Sequence, residues 1–158
     1  MIKKVNKTVA GVIITLSIMW LAWISAEKAE AQVYVELAKT VLNSDMTMHG
    51  IGYTQKNIGA AIEWTGSGET KRGKQGVEPM ISVYYVTDPK WRILFGDFKT
   101  VIGYAYTPNQ KLVGQSNFRL EFKLRYKGGI EFFARHYSSA GLWNPNTGID
   151  SIGVRRHF

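Results

Sequence analysis

Between Phe118 and Tyr126 every even position is apolar or aromatic and every odd position is charged: Phe118, Leu120, Phe122, Leu124 and Tyr126 against Arg119, Glu121, Lys123 and Arg125. A period of two is the side-chain repeat of a β-strand, whose successive residues point to opposite faces. The strand has one wholly apolar face and one wholly ionic face, so each face needs its own surroundings. A closed barrel supplies them in either of two ways. The apolar face points inward in a soluble barrel and outward, to lipid, in a membrane barrel.

The rest of the chain alternates in the same manner. Val33, Val35 and Leu37 oppose Tyr34, Glu36 and Ala38; Ile58, Ala60, Ile62 and Trp64 oppose Gly59, Ala61 and Glu63. We read eight strands, at 32–42, 47–56, 58–66, 78–87, 91–106, 115–127, 129–140 and 149–158. Tight turns are expected at Lys56-Asn57, Asp88-Pro89-Lys90 and Lys127-Gly128-Gly129. The connections between them, 43–47, 66–77, 107–114 and 142–148, are longer and polar or Gly-rich. Short turns alternating with long loops, over an even strand number, describe an all-β, eight-stranded antiparallel transmembrane barrel of the outer membrane. A soluble lipid-binding barrel is the alternative. Against it stand mixed charge signs on the ionic face, the terminal aromatic Phe158, and aromatics near strand ends (Trp64, Trp91, Tyr104, Tyr106, Tyr126, Tyr137) that suit an interface girdle.

Residues 1–31 read differently. Lys3, Lys4 and Lys7 precede an apolar run from Val9 to Ile24, and Ala29-Glu30-Ala31 is an A-x-A cleavage pattern, the layout of a secretory signal peptide. An uncleaved anchor is the alternative. Cleavage after Ala31 would leave 127 residues, 32–158, as one barrel domain. The chain has no cysteine and a net charge of +8, about +6 of it beyond residue 31. A basic envelope protein has phosphate-bearing lipid headgroups as its natural acidic partner, and a secretory leader takes it away from nucleic acid. No metal-ligand spacing or phosphate-binding glycine loop is present, so no cofactor is expected. A second copy of the chain is kept as a candidate partner.

One cluster breaks the apolar face. In the strand 129–140, His136 and Ser138 share a side with Ile130, Phe132 and Ala134, and in 149–158 Asp150 shares a side with Ile152 and Val154. Three polar groups on a lipid-directed face are expensive unless they work. A hydroxyl needs a base, and His136 stands two residues from Ser138. The imidazole needs an acceptor to hold its tautomer, which Asp150 can supply across the hairpin. Asn144, Asn146 and the Gly141 N–H are candidate donors to an oxyanion. The bland alternative makes all of them headgroup-level decoration on a non-enzymatic barrel for envelope integrity or adhesion. His49 and His157 lack an evident partner, and Lys71, Arg72 and Lys74 form a loop charge run that is either solvated or directed at lipid phosphates.

The stretch Arg135-His136-Tyr137-Ser138-Ser139-Ala140-Gly141, followed by Asn144-Pro145-Asn146-Thr147-Gly148-Ile149-Asp150-Ser151, resembles the C-terminal signature of the lipid A 3-O-deacylases of the PagL type. The resemblance implies an outer-membrane barrel that hydrolyses the ester-linked acyl chain at position 3 of lipid A within lipopolysaccharide. It implies Ser138 as nucleophile, His136 as base, Asp150 as the acidic member, and Asn146 with the Gly141 N–H at the oxyanion. Two positions depart from the family pattern, which commonly has Glu at Asp150 and Asn at Ser139.

Overall fold

The computed structural model describes residues 31–87, 91–93, 96–109, 111–126, 128–142 and 144–158. The expected leader lies outside these residues, apart from Ala31, as does the expected turn at Asp88-Pro89-Lys90. Among the described residues eight long strands pair antiparallel and close on themselves. They are β1 (Ala31–Val41), β2 (Thr47–Gln55), β3 (Ile58–Thr65), β4 (Glu78–Val86), β5 (Gly96–Tyr106), β6 (Ser116–Arg125), β7 (Ile130–Ser138) and β8 (Ile149–His157). Neighbours in sequence are neighbours in space, β8 pairs with β1, and β4 pairs with β5 to complete the ring. Two outer loops add a small sheet of their own, Ser44–Asp45 on Glu69–Thr70.

The alternation resolves in the membrane sense. Phe118, Phe122, Phe132 and Ile152 are 51%, 47%, 53% and 55% exposed on the outside, while Arg119, Glu121, Arg135 and Arg155 are buried within. A soluble barrel would have placed these two sets the other way round. The expected strand 91–106 is divided. Trp91–Ile93 folds back on the start of β5, pairing Trp91 with Phe98 and Ile93 with Gly96. Trp91 stacks on Phe98 and Phe98 on Phe122, with ring centroids 6.3 and 6.1 Å apart, which gives the aromatic segment a reason to double over the strand. The other strands end within two residues of expectation. Tyr137 is a second correction: it is fully buried in the lumen and its hydroxyl donates to Glu63, so it belongs to no girdle. Tyr53 and Tyr85, at the turn-side ends of β2 and β4, are exposed instead.

The lumen is filled in layers. Toward the long loops an apolar cap gathers Met46, Met48, Met80, Leu112, Val113 and Ile149. Beneath it lies the ionic layer. Arg135 forks onto Glu36 at 2.7 and 2.8 Å and donates through Nε to Glu121 at 2.6 Å. Arg119 donates to Glu63 at 2.9 Å and to Glu121 at 2.7 Å. Arg155 joins Glu131 at 2.6 Å and Glu36 at 2.8 Å, and Lys123 lies 3.2 Å from Glu131. Among the described residues of this layer, Glu36, Glu63, Glu121 and Glu131 balance Arg119, Lys123, Arg135 and Arg155. Tyr34 and Tyr84 cross the lumen below, their hydroxyls 2.8 Å apart. Their rings lie against Gly52 and Gly59, where any Cβ would overlap them.

Buried charges held this way are costly to break singly, because each removal strands a partner. Glu131→Ala should lower barrel stability by about 3–5 kcal/mol. Glu69→Ala, which loses only an exposed pair with Lys74 at 3.9 Å, should barely register. Thermal melts of the two variants in one detergent make the comparison. Equal melting would mean that the lumen charges are hydrated.

Candidate active site

β7 and β8 form a hairpin whose register sets His136 directly opposite Asp150. Parity therefore places both side chains on the outer face, and the one-to-one register brings them into bonding range. His136 Nδ1 and Asp150 Oδ1 are 2.7 Å apart. A carboxylate only accepts, so Nδ1 carries the proton and Nε2 is the basic nitrogen. The short Asp side chain reaches because nothing separates the pair. Gly148, at φ 85°, lies under the imidazole, and a Cβ there would sit 2.9 Å from His136 Cε1. The second carboxylate oxygen of Asp150 accepts from Asn43 Nδ2 at 3.3 Å, and the same amide donates to the Thr147 carbonyl at 3.0 Å.

Ser138 closes β7 on the same face, but its hydroxyl is bonded elsewhere. It donates to Asn146 Oδ1 at 3.0 Å and accepts from the Ala140 N–H at 3.0 Å. The Ser139 N–H also donates to Asn146 Oδ1, at 2.8 Å, which fixes the orientation of that amide and turns its NH₂ away. The hydroxyl proton in this state is directed at Asn146 and not at the imidazole. Beyond Ser138 the chain reverses through Ala140 and Gly141, at φ 51° and 80°, closed by a bond of 2.9 Å from the Leu142 N–H to the Ser139 carbonyl. Two successive left-handed residues with that bond make a type I′ turn, which is why glycine suits position 141.

The structure thus brings together His136 with Asp150, and Ser138 with Asn146, as two bonded pairs side by side. Gly141 stands in the adjoining turn. Asn144 is exposed, and among the described residues no hydrogen bond ties it to Ser138 or His136. The side chain of Ser139, where the family pattern commonly has Asn, is buried, and its backbone N–H donates to Asn146. Asn43 had not been singled out in the sequence. It comes from the loop after β1, 107 residues from Asp150, and only closure of the ring brings it there.

The loop 139–148 is braced by its neighbours. Thr147 N–H donates to the Leu112 carbonyl at 2.7 Å, Asn146 bridges to Val113, and Arg72 Nε reaches Thr147 Oγ1 at 2.8 Å. Arg72 of the loop charge run is therefore engaged with the site loop. The setting is half apolar. His136 pairs across with Leu120 and Ser138 with Phe118, and both Phe118 and Leu142 are exposed. The His136 side chain is 45% exposed and that of Asp150 24%, so the dyad is open on its outer side. His49 stacks on Trp64 at 5.8 Å, away from the dyad. Among the described residues no three His, Asp or Glu side chains converge as metal ligands would.

Such an arrangement can take a proton from a nearby hydroxyl onto Nε2, hold the imidazolium against Asp150, and offer amide donors at the rim of an apolar wall. A family model described as "Lipid A 3-O-deacylase (PagL)" matches residues 10–158. No curated protein matches the chain. Among solved structures, that described as "Crystal structure of the outer membrane enzyme PagL" superposes with a TM-score of 0.58 at 19% identity, covering 80% of this chain and 98% of that one. At that identity the likeness speaks for the fold.

Proposed function

This chain belongs to the lipid A 3-O-deacylase (PagL) family, and from that membership we propose that it is a serine esterase of the outer membrane. Its substrate is the acyl chain ester-linked at position 3 of lipid A. The observation that carries the reading is the His136–Asp150 bond of 2.7 Å beside Ser138, at the long-loop rim of the lipid-facing wall.

The geometry supports a Ser-His-Asp division of labour. Ser138 Oγ attacks the ester carbonyl carbon while its proton passes to His136 Nε2. To do so the hydroxyl turns from Asn146 toward the imidazole, a movement about one side-chain torsion. The oxyanion that forms draws on the Gly141 N–H, and on the Asn146 NH₂ once that amide turns over from its bond to the Ser139 N–H. Collapse breaks the bond to the sugar oxygen, which takes the proton back from His136, and leaves an acyl-serine. Water then repeats the cycle with His136 again as base, releasing the fatty acid and restoring Ser138. Asp150 holds the imidazole, and Asn43 holds Asp150. The exposed apolar side chains Phe118, Leu120 and Leu142 offer a surface for the acyl chain, so the ester can be reached from within the leaflet.

Mass spectrometry of lipid A from cells with and without the protein tests the proposal. The expected result is loss of one acyl chain, at position 3, only where the protein is made. Unchanged lipid A, both in cells and with purified protein in detergent, would leave a non-enzymatic barrel as the better reading. We also propose that residues 1–31 are a leader removed after Ala31, and sequencing the N-terminus of the same preparation should then begin at Gln32.

A further inference from the structure

At the turn-side end, opposite the His136 rim, the lumen holds a cavity of about 210 Å³. Its charged lining is Lys56, Lys99, Lys123, Arg125, Glu131 and His157. Charge in the layer above is already balanced, and Glu131 is engaged by Arg155 at 2.6 Å and Lys123 at 3.2 Å. Lys56 and Arg125 stand outside that balance. Arg125 reaches the neutral Gln32 side chain at 2.9 Å. The cavity therefore carries an excess of positive charge.

His157 supplies an independent sign. Its side chain is 4% exposed, Nε2 faces Glu131 Oε2 at 3.6 Å, just beyond hydrogen-bond range, and Nδ1 has no hydrogen-bond partner among the described residues. Buried polar atoms are rarely left so, and an unexplained one asks what completes it. Here the ring borders a cavity far roomier than the ~10–15 Å³ that one water needs. The positive lining favours an occupant that is negative and accepts hydrogen bonds, and a ring N–H of His157 can supply one of them.

We propose that this end of the barrel binds a phosphate-class oxyanion, held by Lys56, Lys123 and Arg125 with a ring N–H of His157 completing its shell. A phosphate offers several acceptor oxygens to donors arriving from different strands, and an Arg fork suits two of them. Chloride and carboxylates match that array less well. The anion is either free phosphate or the phosphate of a lipid headgroup; the site does not depend on the esterase reading.

The test uses the full barrel, folded in zwitterionic detergent, with thermal melts in inorganic phosphate against chloride at equal ionic strength. Phosphate should raise the melting temperature saturably, since a ligand that binds only the folded state stabilises it. Lys56→Gln and Arg125→Gln, neither within the balanced layer, should fold and bind phosphate roughly tenfold more weakly. A second arm uses vesicles of a neutral galactolipid with and without phosphatidylglycerol, with no inorganic phosphate present. A shift in either arm that the variants lose supports the site and identifies its source. No shift in either arm, or shifts undiminished in both variants, would overturn it and leave a water-filled cavity.

Discussion

Ser138→Ala is expected to leave lipid A fully acylated at position 3, with the rate of release down by roughly 10⁴-fold or more. His136→Ala should fall to the same floor, and the double variant should be no worse than either single, because nucleophile and base act as one unit. Neither change should unfold the protein. Both side chains stand on the outer face, and the bonds they make, to Asp150 and Asn146, lie outside the lumen network. Acyl-chain release from purified lipid A measures activity, and the heat-dependent gel mobility of folded barrels checks the fold. Full activity in the folded Ser138→Ala protein would remove serine catalysis from consideration.

Asp150→Asn should cost nearly as much, about 10⁴-fold in turnover, with the barrel intact. An amide facing Nδ1 can present its NH₂ and stabilise the wrong tautomer, and it cannot neutralise the imidazolium in the transition state. Asp150→Glu, in contrast, should retain substantial activity. It keeps the charge and restores the residue that the family pattern commonly has there. The dyad is open on its outer side, so the added methylene has room to bow outward. The two rates, measured on one lipid A preparation, separate charge from shape. An Asn variant as active as the parent would place the acid elsewhere, and an inactive Glu variant would mean that the one-to-one register and Gly148 have adapted the site to the shorter carboxylate.

Much of this was legible in the chain because the strand repeat is local. Parity alone puts Arg119 and Phe118 on opposite faces and His136 with Ser138 on one, and the apolar neighbours Ile152 and Val154 put Asp150 on the matching face of the next strand. Tyr137 shows what happens when parity is set aside. It is one residue from His136 and two from Arg135, so alternation points it inward, yet an aromatic near a strand end suggested the interface. The buried Glu63 that receives its hydroxyl lies 74 residues away. Non-local partners of that sort could not be read. Which carboxylate meets which guanidinium depends on how the ring closes, and so does the arrival of Asn43 beneath Asp150 through the pairing of Val41 with Asp150. The break before β5 was hidden for another reason. Trp91–Ile93 has strand composition and is a strand, but one folded back on its successor rather than continuous with it.

A barrel packed from Tyr34 to Leu112 should pass no current. Porins of wider bore leave water along their axis, whereas here side chains close the path at the apolar cap and again at the arginine layer. In a planar bilayer such a protein should be electrically silent. For the cell this means that copy number can rise without eroding the outer membrane as a permeability barrier. If the protein is the proposed esterase, its amount can be set by how much of the leaflet needs remodelling, with no penalty in leakage of small solutes.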